Sequence, residues 1–555
     1  MMRLFAVLLC AVVLVPAASA QPAPQDRAPD DEVRQHLRTR IEAQRRGLDA
    51  LAVEGETAQA SAAVQAFYED RQFAPVWVGP SGPTPAVDRL LTVLERADRD
   101  GLPPAAYYVD DLQALLNEIR AASGTDAGRL ADLELLSTDA FLLYGSHLLT
   151  GRVSPTELEP SWNVEGRRGD LVSVLREAAR TGAVAEALQS LRPPQSEYAH
   201  LKTALQRYRR LATRGGWPAV PDGESLKLGA HGPRVDSLRR RLAKTDDLTA
   251  ERSAAPDSFG VALETAVVTF QERHGLEADG VVGPATRAAL NVPADARAEQ
   301  VAVNLERWRW LPQSLGRRHV LVNIAAFRLR VVEEGEDVLR MRAIIGRPYR
   351  QTPVFSGAIS YLVLNPYWHV PHSIATKDKL PEIKKDPDYL ARQQFEVLRG
   401  WGADAQPIDP STIDWSRLSA SNFPYRLRQR PGPLNALGQV KFMFPNRHSV
   451  YLHDTPTRGL FARAERSFSS GCVRVEKPIE LAEYLLANQT QWAADRIQTA
   501  LNTSAAERSV FLPEPVPVHL QYWTAWADAD GTVHFRADVY QRDDAVYRAL
   551  SDRVQ

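Results

Sequence analysis

Cysteine is nearly absent: 555 residues hold two thiols, Cys10 and Cys472. So few exclude a disulfide framework, and the thiol at 472 is either a small apolar filler or a reactive group. An excess of one charge is absent too. Lys and Arg number 67 against 68 Asp and Glu, which gives no electrostatic case for nucleic acid or an anionic membrane surface as partner. A membrane-spanning run is also missing. The most apolar stretch, Leu4 to Val15, is about a dozen residues against the ~20 a spanning helix needs.

That stretch has another use. A short positive start, Met1 to Arg3, precedes it, and Ala18-Ser19-Ala20 follows, the layout of a secretory signal peptide cut after Ala20. Cys10 follows Leu9, where a lipoprotein signal wants a small residue, so Cys10 is expected to leave with the signal. Residues 1–20 take away Arg3 and no acid, leaving 66 basic and 68 acidic residues and a charge of −2. An exported chain without a membrane span is expected.

Length predicts three or four domains of about 150 residues. Residues 21–32, QPAPQDRAPDDE, have little to bury and read as a flexible leader. Residues 33–225 read as an α-helical scaffold: Val87, Leu90, Leu91 and Leu94 recur at helical spacing, as do Leu133, Leu136, Ala140 and Leu143. Gly101 to Pro104 and Pro193-Pro194 punctuate it, WPAVPDGES at 217–225 is its closing loop, and nothing in it has catalytic spacing. Residues 226–292 read as a compact module of three helices. Val235, Leu238 and Leu242 make one face, Leu263, Ala266, Val267 and Phe270 a second, and Gly283-Pro284 opens the third helix. From 293 to 545 the texture is mainly β. Val320, Val322 and Ile324 alternate, as do Phe327, Leu329 and Val331, and short strands at such intervals predict a sandwich or barrel. Residues 373–430 break that rhythm and are expected to form a lid or small subdomain. Lys477 to Gln498 reads as one helix and Val518 to Tyr540 as a closing hairpin. The fold class expected is multidomain α+β.

The chemistry concentrates in YLHDTPTRGLFARAERSFSSGCVRVEKP, residues 451–478. Cys472 lies there, nineteen residues after His453. A thiolate is the active form of a cysteine nucleophile, and a neighbouring imidazole or cation controls its supply. Alternation along Val450 to His453 puts His453 on the face opposite Val450 and Leu452, and Arg474 adds positive charge. Gly471 allows close approach of a substrate, so that amide N–H groups at 471 and 472 are candidates for holding an oxyanion. Tyr451 and Trp368 are candidate cleft aromatics, with strand-face packing as the alternative. A zinc site built from His448 and His453 with His369 or His372 is disfavoured, since no recognisable ligand spacing is present; no metal and no cofactor are expected.

Two stretches carry resemblances. FQERHGLEADGVVGPATRAALN, residues 270–291, resembles the three-helix peptidoglycan-binding domain of wall enzymes, with Gly260 where an Asp cap is usual. GPLNALGQVKFMFPN through VYLHDTP to SSGCVR, residues 432–474, resembles the catalytic signature of the L,D-transpeptidases. ERWRWLP at 306–312, TPVFS at 352–356, NPYWHVP at 365–371 and YWTAW at 522–526 extend the likeness to the large periplasmic subclass with an amino-terminal scaffold. The resemblance implies Cys472 as acylated nucleophile, His453 as general base, Asp454 as its orienting group and Gly471 at the oxyanion. It also implies substrate contacts by Arg474, Ser470, Tyr451 and Trp368; Ser470 replaces a histidine of the commoner S-H-G-C form. The implied partner is peptidoglycan, a donor tetrapeptide stem and an acceptor amine, with other wall-synthesis enzymes as candidate partners. The implied setting is periplasmic, and the implied reaction is 3→3 cross-linking with carbapenem sensitivity. The alternatives are an L,D-carboxypeptidase or hydrolase using the same thiol, and a non-catalytic wall-binding scaffold.

Overall fold

The computed structural model describes residues 29–45, 52–53, 56–57, 59–124, 126–159, 162, 164–248, 255–400, 402–503 and 507–552. The signal-peptide reading of 1–20 and most of the leader lie outside them. The leader reading fails where it enters them, because Pro29–Arg45 is a helix. Its composition looks disordered, but Asp30, Asp31 and Glu32 fill the first turn, where carboxylates offset the positive end of the helix dipole, and Val33, Leu37 and Ile41 are buried at helical spacing.

The helical region is built around Ala127–Thr150, whose Asp126 side chain accepts from the N–H groups of Gly128 and Arg129 as a cap. It is buried on nearly every side, so its neighbours wrap it. Three shorter helices follow a linker: Pro233–Ala243, Val261–His274 and Pro284–Leu290. Gly260 and Gly283 begin the second and third, and Gly275 ends the second at φ 69°, a left-handed position that suits glycine. This module has its own core of Val235, Leu238, Leu263, Phe270 and neighbours.

The helix Ala294–Arg309 then joins scaffold to β domain. Glu306 accepts from the Val153 N–H at 2.7 Å and from Arg309 at 2.6 Å, Trp310 Nε1 donates to Val153 O at 2.9 Å, and Arg309 donates to the Asp100 carbonyl. Trp308 stacks on Trp523 at 4.4 Å on the other side, a contact worth about 1 kcal/mol beyond its area. The ERWRWLP and YWTAW stretches are thus docking elements. Burial opposes the charge of Asp100, but Arg192, Lys202 and Arg309 prevail and hold its carboxyl down at about 2.

The β domain contains β1 (Arg318–Asn323), β2 (Arg328–Glu333), β3 (Glu336–Gly346), β4 (Phe355–Leu364), β5 (Trp368–His369), β6 (Phe395–Arg399), β7 (Gln406–Ile408), β8 (Tyr425–Gln429), β9 (Val440–Met443), β10 (Leu452–His453), β11 (Ser467–Ser469), β12 (Val473–Val475) and β13 (Arg508–Gln521). Nine of them run in the order β11-β3-β12-β10-β9-β4-β13-β1-β2, and β2 pairs back onto β3. The sheet therefore closes on itself, the barrel alternative of the two expected. The β2–β3 hairpin turns through Glu334 and Gly335, both at positive φ, which matches the right-handed twist of the strands.

Residues 373–430 form a packed subdomain. Strands β7-β6-β8-β5 make a separate sheet, and Trp368, Ile383, Phe395, Val397, Phe423 and Leu427 share a core beneath it. Two other expectations need correction. Lys477 to Gln498 is divided into Pro478–Leu486, a single turn at Thr490–Trp492, and Ala494–Thr503. The closing hairpin is confined to Ala525–Ala527 and Val533–Phe535, while Val518 to Gln521 pair with β1 inside the barrel.

Among the histidines whose pKa burial lowers, His147 falls to about 3, His453 to about 3 and His519 to about 4. Each stays neutral when folded but protonates near 6.5 when unfolded, so the unfolded chain binds more protons below that pH. Glu134, raised by burial to about 7, acts in the opposite sense. His274, His319, His369 and His448 are lowered as well, and Asp139 and Asp543 are raised beside Glu134. The histidines outnumber the carboxyls, which predicts that the thermal midpoint falls as pH is lowered from 7 to 4.5; a midpoint that rises over that range in calorimetry contradicts this.

Candidate active site

Three neighbouring strands assemble the site. In the β10–β12 ladder Leu452 faces Val473 and His453 faces Arg474, while β9 places Lys441 opposite His453. Leu452, Val473 and Phe442 are fully buried, so the alternate residues Lys441, His453 and Arg474 point to the other face. Tyr451 and Cys472 precede their strands in the same register, and the Val473 N–H donates to Tyr451 O at 3.2 Å. One face therefore carries Lys441, Tyr451, His453, Cys472 and Arg474. It opens into a cavity of about 1260 Å³ that Trp368, Ser470 and Gly471 also line.

His453 Nδ1 lies 2.5 Å from the backbone oxygen of Asp454. A carbonyl only accepts, so the proton sits on Nδ1 and Nε2 is left with its lone pair. The Asp454 side chain points elsewhere. It accepts from the Gln439 N–H at 2.9 Å and from Arg458 at 2.8 Å, and Gly438 passes so close that a Cβ there would lie 2.3 Å from the carboxylate. Burial, reinforced by Arg474, pushes the imidazole down to about 3, so it is a neutral acceptor at neutral pH.

Cys472 is half-buried and free. Its Sγ lies 3.8 Å from Ser449 O. Burial pushes the thiol up, against the pull of Tyr451, Lys441 and Arg474. At rest Cys472 and His453 are thus both neutral. Alkylation of Cys472 by iodoacetamide is accordingly expected to climb with pH with a midpoint above that of an ordinary thiol; a plateau below pH 7 would mean a resting thiolate.

The loop before the thiol is fixed from below. Gly471 sits at φ 119°, which favours glycine, and its carbonyl accepts from Thr352 Oγ1 at 2.8 Å. Thr352 in turn is held by the Gly346 N–H and by Tyr540, whose hydroxyl donates to Gly346 O at 2.7 Å. Ser469 Oγ donates to Cys472 O at 2.5 Å and accepts from the Gly471 N–H at 3.1 Å. The Gly471 amide is therefore occupied, and only the Cys472 amide of that pair is without a partner among the described residues.

The insertion reaches the thiol loop through one arginine. Arg350 spans Asp378 at 2.5 and 2.8 Å and Ser470 Oγ at 3.0 Å. Trp368 faces the cavity and also belongs to the subdomain core, and Tyr451 packs at its margin, so filler and lining roles coincide. Among the described residues no three His, Cys, Asp or Glu side chains converge as a metal site would require. His448 packs beside Phe355 and His372 beside Phe423.

Lys441, Arg350, Thr352 and Tyr540 escaped the sequence reading. For Lys441 a signal existed: the alternation of Val440, Lys441, Phe442 and Met443 puts it on the outward face, but nothing in the sequence says which strand lies beside it.

Residues 317–501 match the model of the L,D-transpeptidase catalytic domain, residues 62–205 that of a scaffold domain and residues 231–290 that of a "Putative peptidoglycan binding domain". A "Putative L,D-transpeptidase" of Haemophilus influenzae is 38% identical over 245 residues, 44% of this chain and 48% of that protein. The N-acetylmuramoyl-L-alanine amidase CwlM of Mycobacterium tuberculosis is 36% identical over 80 residues, 13% of this chain and 20% of its own length. The chain thus spans about half the length of the first relative and a fifth of the second. Among solved structures, an L,D-transpeptidase of Xylanimonas cellulosilytica is 18% identical, covers 54% of this chain and 99% of its own and has a TM-score of 0.17. One of Mycobacterium smegmatis is 12% identical, covers 37% and 58%, and also scores 0.17; likenesses at that score carry no weight. By these matches the chain resembles, in order, a scaffold domain, a peptidoglycan-binding domain and an L,D-transpeptidase catalytic domain, the last over residues 317–501, which include His453 and Cys472.

Proposed function

We propose that this protein cross-links peptidoglycan stems by a two-step acyl transfer through Cys472. The observation that carries the reading is the shared face on which a thiol and a neutral imidazole with its proton fixed on Nδ1 line one cavity, beside a Cys472 amide without a partner among the described residues. Sγ turns from Ser449 O to attack the carbonyl of the third, diamino-acid residue of a tetrapeptide stem, and His453 Nε2 takes the thiol proton. Contacts of this kind are commonly loose without substrate and tighten in the complex. Charge gathering on the carbonyl oxygen is met by the Cys472 N–H. When the tetrahedral intermediate collapses, the C–N bond breaks, the imidazolium returns its proton to the leaving nitrogen, and terminal D-alanine departs. A thioester remains.

The side-chain amine of a second stem then attacks the thioester, losing its proton to His453 as the thiol is released, to give a 3→3 link. Holding both stems in one cleft makes that step effectively intramolecular. Water would divert the thioester to a tripeptide, and the subdomain at 373–430, tied by Arg350 to Ser470, is the part we assign to excluding it. Arg474, Ser470, Tyr451 and Trp368 contact the stems. The three-helix module brings the domain to the wall, the setting is periplasmic, and other wall-synthesis enzymes are candidate partners. A carbapenem offers the thiol a strained carbonyl and acylates the same atom.

Trapping tests this directly. Brief incubation with a disaccharide-tetrapeptide followed by acid quench should add the mass of the donor less D-alanine to a peptide containing Cys472. An unmodified Cys472 peptide under turnover would refute the acyl-enzyme.

A further inference from the structure

The cleft around Cys472 is charged in one sense. Seven cations line it against one carboxylate, Asp378. Arg350 occupies Asp378, and Arg542 is paired with Glu159 at 3.0 Å. Lys379 donates to Tyr389 Oη at 3.1 Å and lies 5.4 Å from the centre of the Trp368 ring. That leaves Arg347, Lys377, Lys441 and Arg474 without an ion pair to a carboxylate among the described residues.

Two of these four are fixed in the barrel wall. Lys441 on β9 and Arg474 on β12 are the residues opposite His453 on its two sides, so the pair brackets the imidazole. The Arg474 Nε is buried without a hydrogen-bond partner. The Lys441 ammonium lies 4.9 Å from the Tyr451 ring centre, and the Glu507 carboxylate favours its charge without forming an ion pair with it. Burial opposes the charge of both cations, lowering the pKa of each. Partly buried unmatched charge is costly to an empty protein, and that cost is recovered when a carboxylate arrives to make charge-assisted hydrogen bonds.

We propose that Lys441 and Arg474 receive the side carboxylates of the donor stem, and that Lys441 sets specificity for stems in which they are free rather than amidated. This rests on the transpeptidase reading above. Two carboxylates qualify: the α-carboxylate of a γ-linked glutamyl residue and the distal carboxylate of the diamino acid. Neighbouring strands lie about 4.8 Å apart, so a group on Lys441 lies one strand from the histidine that serves the acylated carbonyl. Both carboxylates fall within about one residue of that carbonyl, and substitution of the donor separates them.

The test compares kcat/KM of the full-length protein on four disaccharide-tetrapeptides: unamidated, amidated at the glutamyl carboxyl, amidated at the distal carboxyl, and amidated at both. A charged hydrogen bond lost from a half-buried site corresponds to about a 10- to 100-fold preference for the free acid. The donor arm that shows this preference identifies the carboxylate. Lys441→Met should reduce the ratio to below about threefold, chiefly through KM, and Lys441→Arg should keep most of it. Equal use of all four donors by the wild type overturns the proposal, as does a preference that survives in Lys441→Met. The wild-type arm decides even where the variant folds poorly. Absence of any acyl-enzyme with all four donors would instead remove the transpeptidase reading and this inference with it.

Discussion

Cys472→Ala is expected to lower cross-link formation by at least about 10⁴-fold while shifting the thermal midpoint by no more than ~2 °C. The two halves of that statement have separate causes. The sulfur is the atom that carries the acyl group, so its removal deletes the route rather than weakening it. The fold hardly depends on it, because the loop is held by Ser469, Gly471 and Thr352 through bonds that do not involve the thiol. Deleting one half-buried sulfur costs about 1 kcal/mol or less. Activity assayed beside calorimetry checks both halves; a variant that keeps a tenth of the activity would show that another group is acylated.

His453→Gln is expected to cost about 10³-fold in acylation rate, within the span seen for a positioned proton acceptor. Asp454→Asn should cost less than about tenfold. The contrast follows from which atom holds the ring. Nδ1 is held by the backbone oxygen of Asp454, and a change of side chain leaves that oxygen in place, supported by the adjoining Asp454 N–H bond to Val440 O at 2.9 Å. The carboxylate's own partners, the Gln439 N–H and Arg458, belong to the loop behind the site. Single-turnover acylation followed by mass spectrometry measures both variants. Were Asp454→Asn as damaging as His453→Gln, the orienting role would lie with the carboxylate.

The residues that form the candidate site were legible because their signals are local. Strand alternation put His453 opposite Leu452, and a lone thiol after glycine attracted attention before any fold was known. What depends on distant pairing was not legible. The pairing of β12 with β3 and of β13 with β1, which builds the barrel, joins segments far apart in the chain that no short window contains. The insertion looked like a long loop since its core is contributed by Trp368, Ile383, Phe395, Phe423 and Leu427, spread over some sixty residues without a sustained period. Composition misled at residues 29–32, where Pro and Asp open the helix Pro29–Arg45 instead of ending a flexible leader. At the oxyanion position, glycine permitted the turn, but a neighbouring serine hydroxyl takes its amide.

The products of the purified reaction distinguish transfer from hydrolysis. Purified full-length protein incubated with disaccharide-tetrapeptide should yield dimers that have lost one D-alanine and are joined between their diamino-acid residues. Disaccharide-tripeptide monomers alone, with no dimer at any donor concentration, would contradict the account and make the same thiol that of a carboxypeptidase.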